Sequence, residues 1–329
     1  MTKEGEKILK YLHRKRDKKL VTIEELTDHL DCGVSTVKKL LGELQDLGHN
    51  IHAIHNGVNL SKMIPPPMPK FIDVTKLKGR VVRFGATGDN HLGSRYCRLD
   101  VINALFDIWK REGVETVYQC GNMIDGEARF NQFDLVAHGV EGQVDYFVEN
   151  WPKRNGVKTE FVTGDDHEGW YVQRDGIDIG RVIESRAKET GRDDLKYLGH
   201  MEADIIFKGS KRNTILKVIH AGGGSAYATS YTAQKIVESY QGGEKPNVLL
   251  IGHFHKAEYG YPREVHCVQV GCTEDQTPFM RKKRIAAHVG GFICEMEISP
   301  EGHLLRFKSE FFPFYDKKFY DRAWRYEWK

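Results

Sequence analysis

The chain has 329 residues, of which 40% are hydrophobic, 29% charged and 11% aromatic. That balance excludes disordered, fibrous and membrane-spanning classes and supplies apolar mass for about two domains. Lys plus Arg number 49 against 46 for Asp plus Glu, a net charge of +3, so any attraction to nucleic acid has to come from local patches. The N-terminal residues Met1 to Glu6 carry no apolar run, and no stretch is long and apolar enough to span a bilayer, which leads us to expect a cytoplasmic protein without a membrane partner. Six scattered cysteines with no CxxC pair read as reduced, mostly buried residues rather than as a disulfide framework.

Residues 1–62 read as a small helical unit ending in a hairpin. A first helix over about residues 5–16 has Ile8, Leu9 and Leu12 on one face, and Thr22 with Glu25 has the spacing of a capping box that opens a second. After the Asp31-Cys32-Gly33 turn, a third helix carries Val37, Leu40, Leu41, Leu44 and Leu47 at helical spacing and stops at Gly48. Asn56-Gly57 between two short apolar runs predicts a two-residue hairpin turn. This order resembles a winged helix-turn-helix, in which Ser35, Thr36, Lys38 and Lys39 at the start of the third helix would meet DNA. The basic run from Lys10 to Lys19 would touch phosphates. Such modules also dock proteins or dimerise, and that alternative stays open.

The prolines of Ile64-Pro65-Pro66-Pro67-Met68-Pro69 cannot continue a helix, so residues 63–79 are predicted to be a stiff linker. From residue 80 onward, short Val/Ile-rich runs alternate with helical stretches, which predicts a layered α/β domain over 80–329. Five of these runs end in a segment rich in potential ligands: Gly88-Asp89-Asn90-His91, Gly121-Asn122-Met123-Ile124-Asp125, Gly164-Asp165-Asp166-His167-Glu168, His220-Ala221-Gly222-Gly223-Gly224 and Gly252-His253-Phe254-His255. Ligands in open α/β sheets sit at the carboxyl ends of strands, so these tips should converge. In extended chain, residues i and i+2 point the same way, so Asp89 with His91, and His253 with His255, should reach one cavity. Imidazole mixed with carboxylate suits Mn, Fe, Zn or Co rather than Ca, and the number of candidate ligands suits two ions sharing a bridge, as in phosphoester displacement.

Here the sequence resembles the calcineurin-like metallophosphoesterases, whose motifs DxH, GDxxD, GNH(D/E), an apolar run ending in His, and GHxH match in order across residues 89–255. The resemblance implies a layered β-sandwich of mixed sheets flanked by helices, holding two divalent ions, with Mn the first choice. It assigns Asp89, His91 and His255 to one ion and Asp166, His220 and His253 to the other, with position 122 bridging. His167 falls on the general acid and Glu168 on the carboxylate that orients it. Two departures stand out: Asn122 replaces the bridging Asp, and Asp166 stands where the family has Asn.

With a DNA-binding module attached, these features predict a phosphodiesterase acting on DNA, resembling the nuclease subunits of double-strand-break repair. Two alternatives are a phosphomonoesterase or nucleotidase whose winged helix binds a partner, and a DNA-binding protein whose metal domain Asn122 silences. No GxxxxGK[ST] occurs, so an ATPase partner would be a separate chain, and a homo-oligomer is compatible with the sequence. Arg281 to Arg284 and the aromatic residues from Phe311 to Trp328 read as a solvated turn and a packing cluster.

Overall fold

The computed structural model describes residues 2–15, 20–54, 57–61, 64, 66–77, 79–224, 226 and 228–314. Arg16, Lys18 and Lys19 of the 10–19 basic run and most of the C-terminal aromatic cluster therefore lie outside the described residues. Among those described, no helix is long and apolar enough to cross a membrane.

In the N-terminal part, α1 (Lys3–Lys15), α2 (Ile23–Leu30) and α3 (Val34–Asp46) pack on an antiparallel sheet of β1 (Val21–Thr22), β2 (Ile51–Ile54) and β3 (Gly57–Leu60), in the order β1-β3-β2. Ile8, Leu12, Leu26, Val37, Leu44 and Val58 form its buried core, which is the apolar face that the helical spacing marks out. Thr22 Oγ1 accepts from Glu25 N at 3.1 Å and so caps α2. The hairpin differs from expectation. Ile54 pairs with Gly57, so Gly57 is a strand residue and not part of the turn; Asn56 lies outside the described residues. The glycine is needed for close approach, because a Cβ there would come within 2.6 Å of Leu20 Cγ.

The larger part is a two-sheet sandwich. One sheet has the order β15-β14-β5-β6-β7-β8 and the other β12-β13-β11-β10-β9-β4. In chain order, the strands are β4 (Lys70–Asp73), β5 (Val81–Thr87), β6 (Thr116–Cys120), β7 (Lys158–Thr163), β8 (Leu195–His200), β9 (Glu202–Lys208), β10 (Asn213–His220), β11 (Val248–Gly252), β12 (Ala257–Gly260), β13 (His266–Val270), β14 (Gly290–Ile298) and β15 (Leu304–Pro313). The helices are α4 (Leu99–Arg111), α5 (Gly139–Asn150), α6 (Trp170–Asp175), α7 (Ile179–Glu189), α8 (Thr229–Ser239) and α9 (Pro278–Lys283). Strands β5 to β8 run parallel, as do β10, β11 and β13, while β9 and β14 run antiparallel to β10 and β5. This is the expected layered α/β arrangement of mixed sheets flanked by helices.

Side-chain alternation builds the layers. Val248 and Leu250 of β11 point between the sheets with Phe84, Tyr118 and Val162, whereas Leu249 and Ile251 point outward against Val237 of α8. On the other outer face, Val117 and Phe161 meet Leu105, Trp109, Phe147 and Ile183.

One boundary and one contact depart from the sequence reading. Lys70–Asp73, expected in the linker, are an edge strand paired in parallel with β9. Chain beyond Pro69 has free N–H groups again, Val74 is buried in the inter-sheet core, and Lys70 Nζ donates to buried Glu160 Oε2 at 2.6 Å. The N-terminal unit is also bonded to the larger part rather than tethered alone: Asn50 N donates to Gly176 O and Asp178 N to Gly48 O, both at 2.7 Å. Gly48 has φ +87°, and a Cβ there would come within 2.4 Å of Val182 Cγ2.

Candidate metal centre

The ends of β5, β6, β7, β10 and β11 meet, with β6 and β11 in close approach. Gly252 lets them do so, since a Cβ on it would lie 2.1 Å from Cys120 O. Gly121, at φ +88°, leaves the room that the His220 ring occupies. The side chains converge by a route other than the one expected. Asp89, His91, Asn122, His167, His253 and His255 all have φ between +48° and +89°, so left-handed turns after the strands, not extended chain, aim them. Non-glycine residues in that region carry strain and gather at functional sites.

Among the described residues three groups of side chains have their ligand atoms within 4.8 Å of one another: Asp89, His91 and His255; Asp166, His220 and His253; and His91, Asp125 and His167, which shares His91 with the first. Asn122 lies between the first two and donates from Nδ2 to Asp89 Oδ1 at 3.4 Å and to Asp166 Oδ1 at 3.3 Å. His220 donates from Nδ1 to Cys120 O at 2.8 Å, which turns Nε2 toward Asp166 Oδ1 at 3.1 Å. His253 Nε2 is tied to Gly223 O at 2.7 Å and its Nδ1 faces Asp166 Oδ2 at 3.3 Å. His91 Nδ1 donates to Asp125 Oδ1 at 2.8 Å. In each of these rings a backbone or carboxylate oxygen holds one nitrogen and frees the other for a ligand role. His138, His200, His266, His288 and His303 belong to none of these groups.

The donor set fits a divalent transition metal. His91 Nε2 and Asn122 Oδ1 are buried with no hydrogen-bond partner, a costly arrangement that a cation would relieve. Imidazole nitrogens mixed with carboxylate oxygens are the ligands such ions prefer.

The charge state of the groups follows from these contacts. Burial alone would lower the pKa of His220, but its hydrogen bond to Asp166 and the Asp89 and Asp166 charges outweigh burial and raise it to about 9. Asp166 is held well below the usual carboxylate range: burial opposes this, and the bonds to His220 and His253 overcome it. His255 is pushed down to about 3, mainly by burial, so it stays neutral. A ligating imidazole must give up its proton, so the metal-free His220–Asp166 pair competes with a cation. Apparent Mn²⁺ affinity of the Asp166 group should therefore rise as pH climbs toward about 9 and level above it, with proton release on binding. Titration calorimetry in buffers of different ionisation enthalpy checks this; an affinity independent of pH between 7 and 9 would contradict it.

His167 and Glu168 are placed differently from each other. His167 has Nδ1 3.0 Å from Asp125 O and 3.2 Å from Asp125 Oδ1, its ring edge-on to His91 at 4.4 Å and stacked on Trp170 at 4.8 Å. Glu168 does not orient it. Both Glu168 oxygens accept backbone N–H groups, from Gly164 and Asn122 at 2.8 Å and from Met123 at 3.0 Å, so it fixes the two loops and not the His167 ring. The carboxylate beside His167 is Asp125, which lies in the second motif but to which the sequence assigns no role. Sequence reasoning also misses Glu274 and Trp170. A signal for Glu274 exists, because β13 is followed by Gly271-Cys272-Thr273-Glu274, another strand leading into a potential ligand. The expected DNA-contacting residues Ser35, Thr36, Lys38 and Lys39 are all exposed on α3.

No family profile and no curated protein matches the chain. Among solved structures it is similar to an archaeal phosphodiesterase, at 11% identity and TM-score 0.36 over 70% of this chain and 99% of that one. It is similar to Vps29 from Entamoeba histolytica complexed with zinc, at 13% identity and TM-score 0.34 over 70% and 98%. A 5′-nucleotidase precursor from Thermus thermophilus matches at 14% identity and TM-score 0.37, over 71% of this chain and 54% of that one.

Proposed function

We propose that the protein is a two-metal phosphoesterase that hydrolyses phosphodiesters of DNA. The observation that carries this reading is the pair of carboxylate–imidazole groups facing each other across Asn122, with His167 at their border. Asp89, His91 and His255 would hold one ion and Asp166, His220 and His253 the other, with Asn122 between them. Mn²⁺ is the ion we favour, with Fe, Zn and Co as alternatives. Bound there, divalent ions supply the Lewis acidity and charge compensation that phosphoryl transfer requires.

The chain's own groups do the rest. With Nδ1 engaged by Asp125, His167 has Nε2 left to protonate the leaving oxygen. Trp170 and the Asp125 contacts keep that ring from turning, and Glu168 holds the Asn122 and Gly164 backbones in register. Gly222 to Gly224 leave open backbone at the rim, where no side chain would block a phosphate.

The N-terminal unit is read as a winged helix-turn-helix that supplies DNA affinity through α3. Replacing both Lys38 and Lys39 by Glu should weaken DNA binding and lower the salt dependence by about one unit of slope per lysine lost, leaving small-phosphoester hydrolysis unchanged. Equal affinity and slope in the variant would assign the module another role. Substrate class is tested by comparing a phosphodiester, a phosphomonoester, and single- and double-stranded DNA with Mn²⁺. A strong preference for the monoester would replace the nuclease reading with a phosphomonoesterase. A non-catalytic reading is favoured by one observation, the neutral amide at 122, and the same assay tests it through a complete lack of turnover.

A further inference from the structure

Beside the Asp89 group lies a carboxylate that no motif assigns. Glu274 follows β13, is buried, and is held from behind by Ser94 Oγ, which donates to Oε1 at 3.3 Å. Its other oxygen, Oε2, lies 3.8 Å from His91 Nε2 and 3.9 Å from His255 Nδ1. Neither nitrogen has a hydrogen-bond partner. On the far side, Asp89 Oδ1 is 4.0 Å from His91 Nε2 and 3.7 Å from His255 Nε2. Two atoms that share an ion at about 2.1 Å stand roughly 3 to 4 Å apart. Glu274 Oε2 and Asp89 Oδ1 thus stand at similar distances, 3.8 and 4.0 Å, from His91 Nε2, the nitrogen through which they would share the ion, while Glu274 faces the other nitrogen of the His255 ring from the one Asp89 faces.

We propose that Glu274 is a ligand of the ion held by Asp89, His91 and His255, so that this ion has two carboxylates of its own in place of one shared through position 122. The proposal rests on the metal-site reading above. Charge supports it. Two dications between Asp89, Asp166 and a neutral Asn122 would face only two anionic ligands, and Glu274 supplies the third. A purely structural role is a weaker account, because at 3.8 Å the contact to His91 is too long for a hydrogen bond and the Ser94 donor is spent on Oε1, which leaves Oε2 facing the two imidazoles.

The test uses full-length protein stripped with EDTA and titrated with Mn²⁺, followed by electron paramagnetic resonance, and with Co²⁺, followed by its visible absorption. Glu274→Gln should weaken one ion by at least about 10-fold and change the intensity of the Co²⁺ bands at saturation, because the ligand set has changed. Glu274→Asp, which keeps the charge, should fall between and serves as the readout if the Gln variant does not fold. Adding Asp166→Ala to Glu274→Gln should weaken both ions. Wild-type affinity with an unchanged Co²⁺ spectrum would overturn the proposal, and so would weaker binding with an unchanged spectrum, which would make Glu274 only a positioning residue for His255. If Asp166→Ala alone loses an ion while Glu274→Gln loses nothing, the metal-site reading stands and the Glu274 ligand falls. No ion bound by the wild type would sink both.

Discussion

His167→Ala should lower turnover by roughly 10²- to 10⁴-fold while leaving the metal content near that of the wild type, the loss expected of a removed general acid. The separation arises from geometry. His167 Nδ1 is spent on Asp125, and its ring borders the Asp89 group without belonging to it. His253→Ala should behave in the opposite way and lose an ion, since its Nδ1 faces Asp166 inside the other group. Asp125→Asn should be intermediate, because Asp125 holds both His91 and His167 and sits well below the usual carboxylate range: burial opposes that shift and the two histidine bonds overcome it. Metal analysis alongside steady-state rates separates the three. Equal metal loss in the His167 and His253 variants would remove His167 from the acid role.

Asn122→Asp should bring the second-largest change, and in opposite directions for the two states of the protein. Without metal, the new carboxylate would face Asp89 and Asp166 at the distances now spanned by two amide hydrogen bonds, 3.4 and 3.3 Å, so the metal-free protein should melt at a lower temperature. With metal, an anion between two dications should raise affinity for the weaker ion by at least about tenfold. The rate should change by less than about tenfold, because Asp166 already carries the charge that position 122 lacks. Calorimetric melting with EDTA and with Mn²⁺, and a rate at saturating Mn²⁺, measure all three. A gain of hydrolysis of 100-fold or more would mean that Asn122 suppresses the chemistry of this chain.

Much of this centre can be read in the sequence because strand ends carry their ligands with them: an apolar run leading into Asp or His places the side chain as soon as the strand is placed. Asp89, His91, Asn122, Asp166, His220, His253 and His255 all meet as that pattern anticipates. The sequence is less informative where contacts depend on loop geometry. Left-handed conformations at Asp89, His91, His253 and His255 replace the extended spacing expected for the pairs at 89 and 91 and at 253 and 255. The exchange of Glu168 for Asp125 beside His167 depends on which carboxylate the loop backbones' N–H groups engage, and chain order does not show this. The same holds for Lys70–Asp73, whose upstream prolines suggest a spacer although the strand that pairs with them lies more than a hundred residues away, at β9.

The most direct measurement of the central claim is a Mn²⁺ binding isotherm of the full-length protein after EDTA, run together with Asp166→Ala. The two facing groups predict two ions per chain of unequal affinity, reduced to one in the variant. A wild type that binds no Mn²⁺, Zn²⁺ or Co²⁺, or a variant that binds as the wild type does, would contradict it.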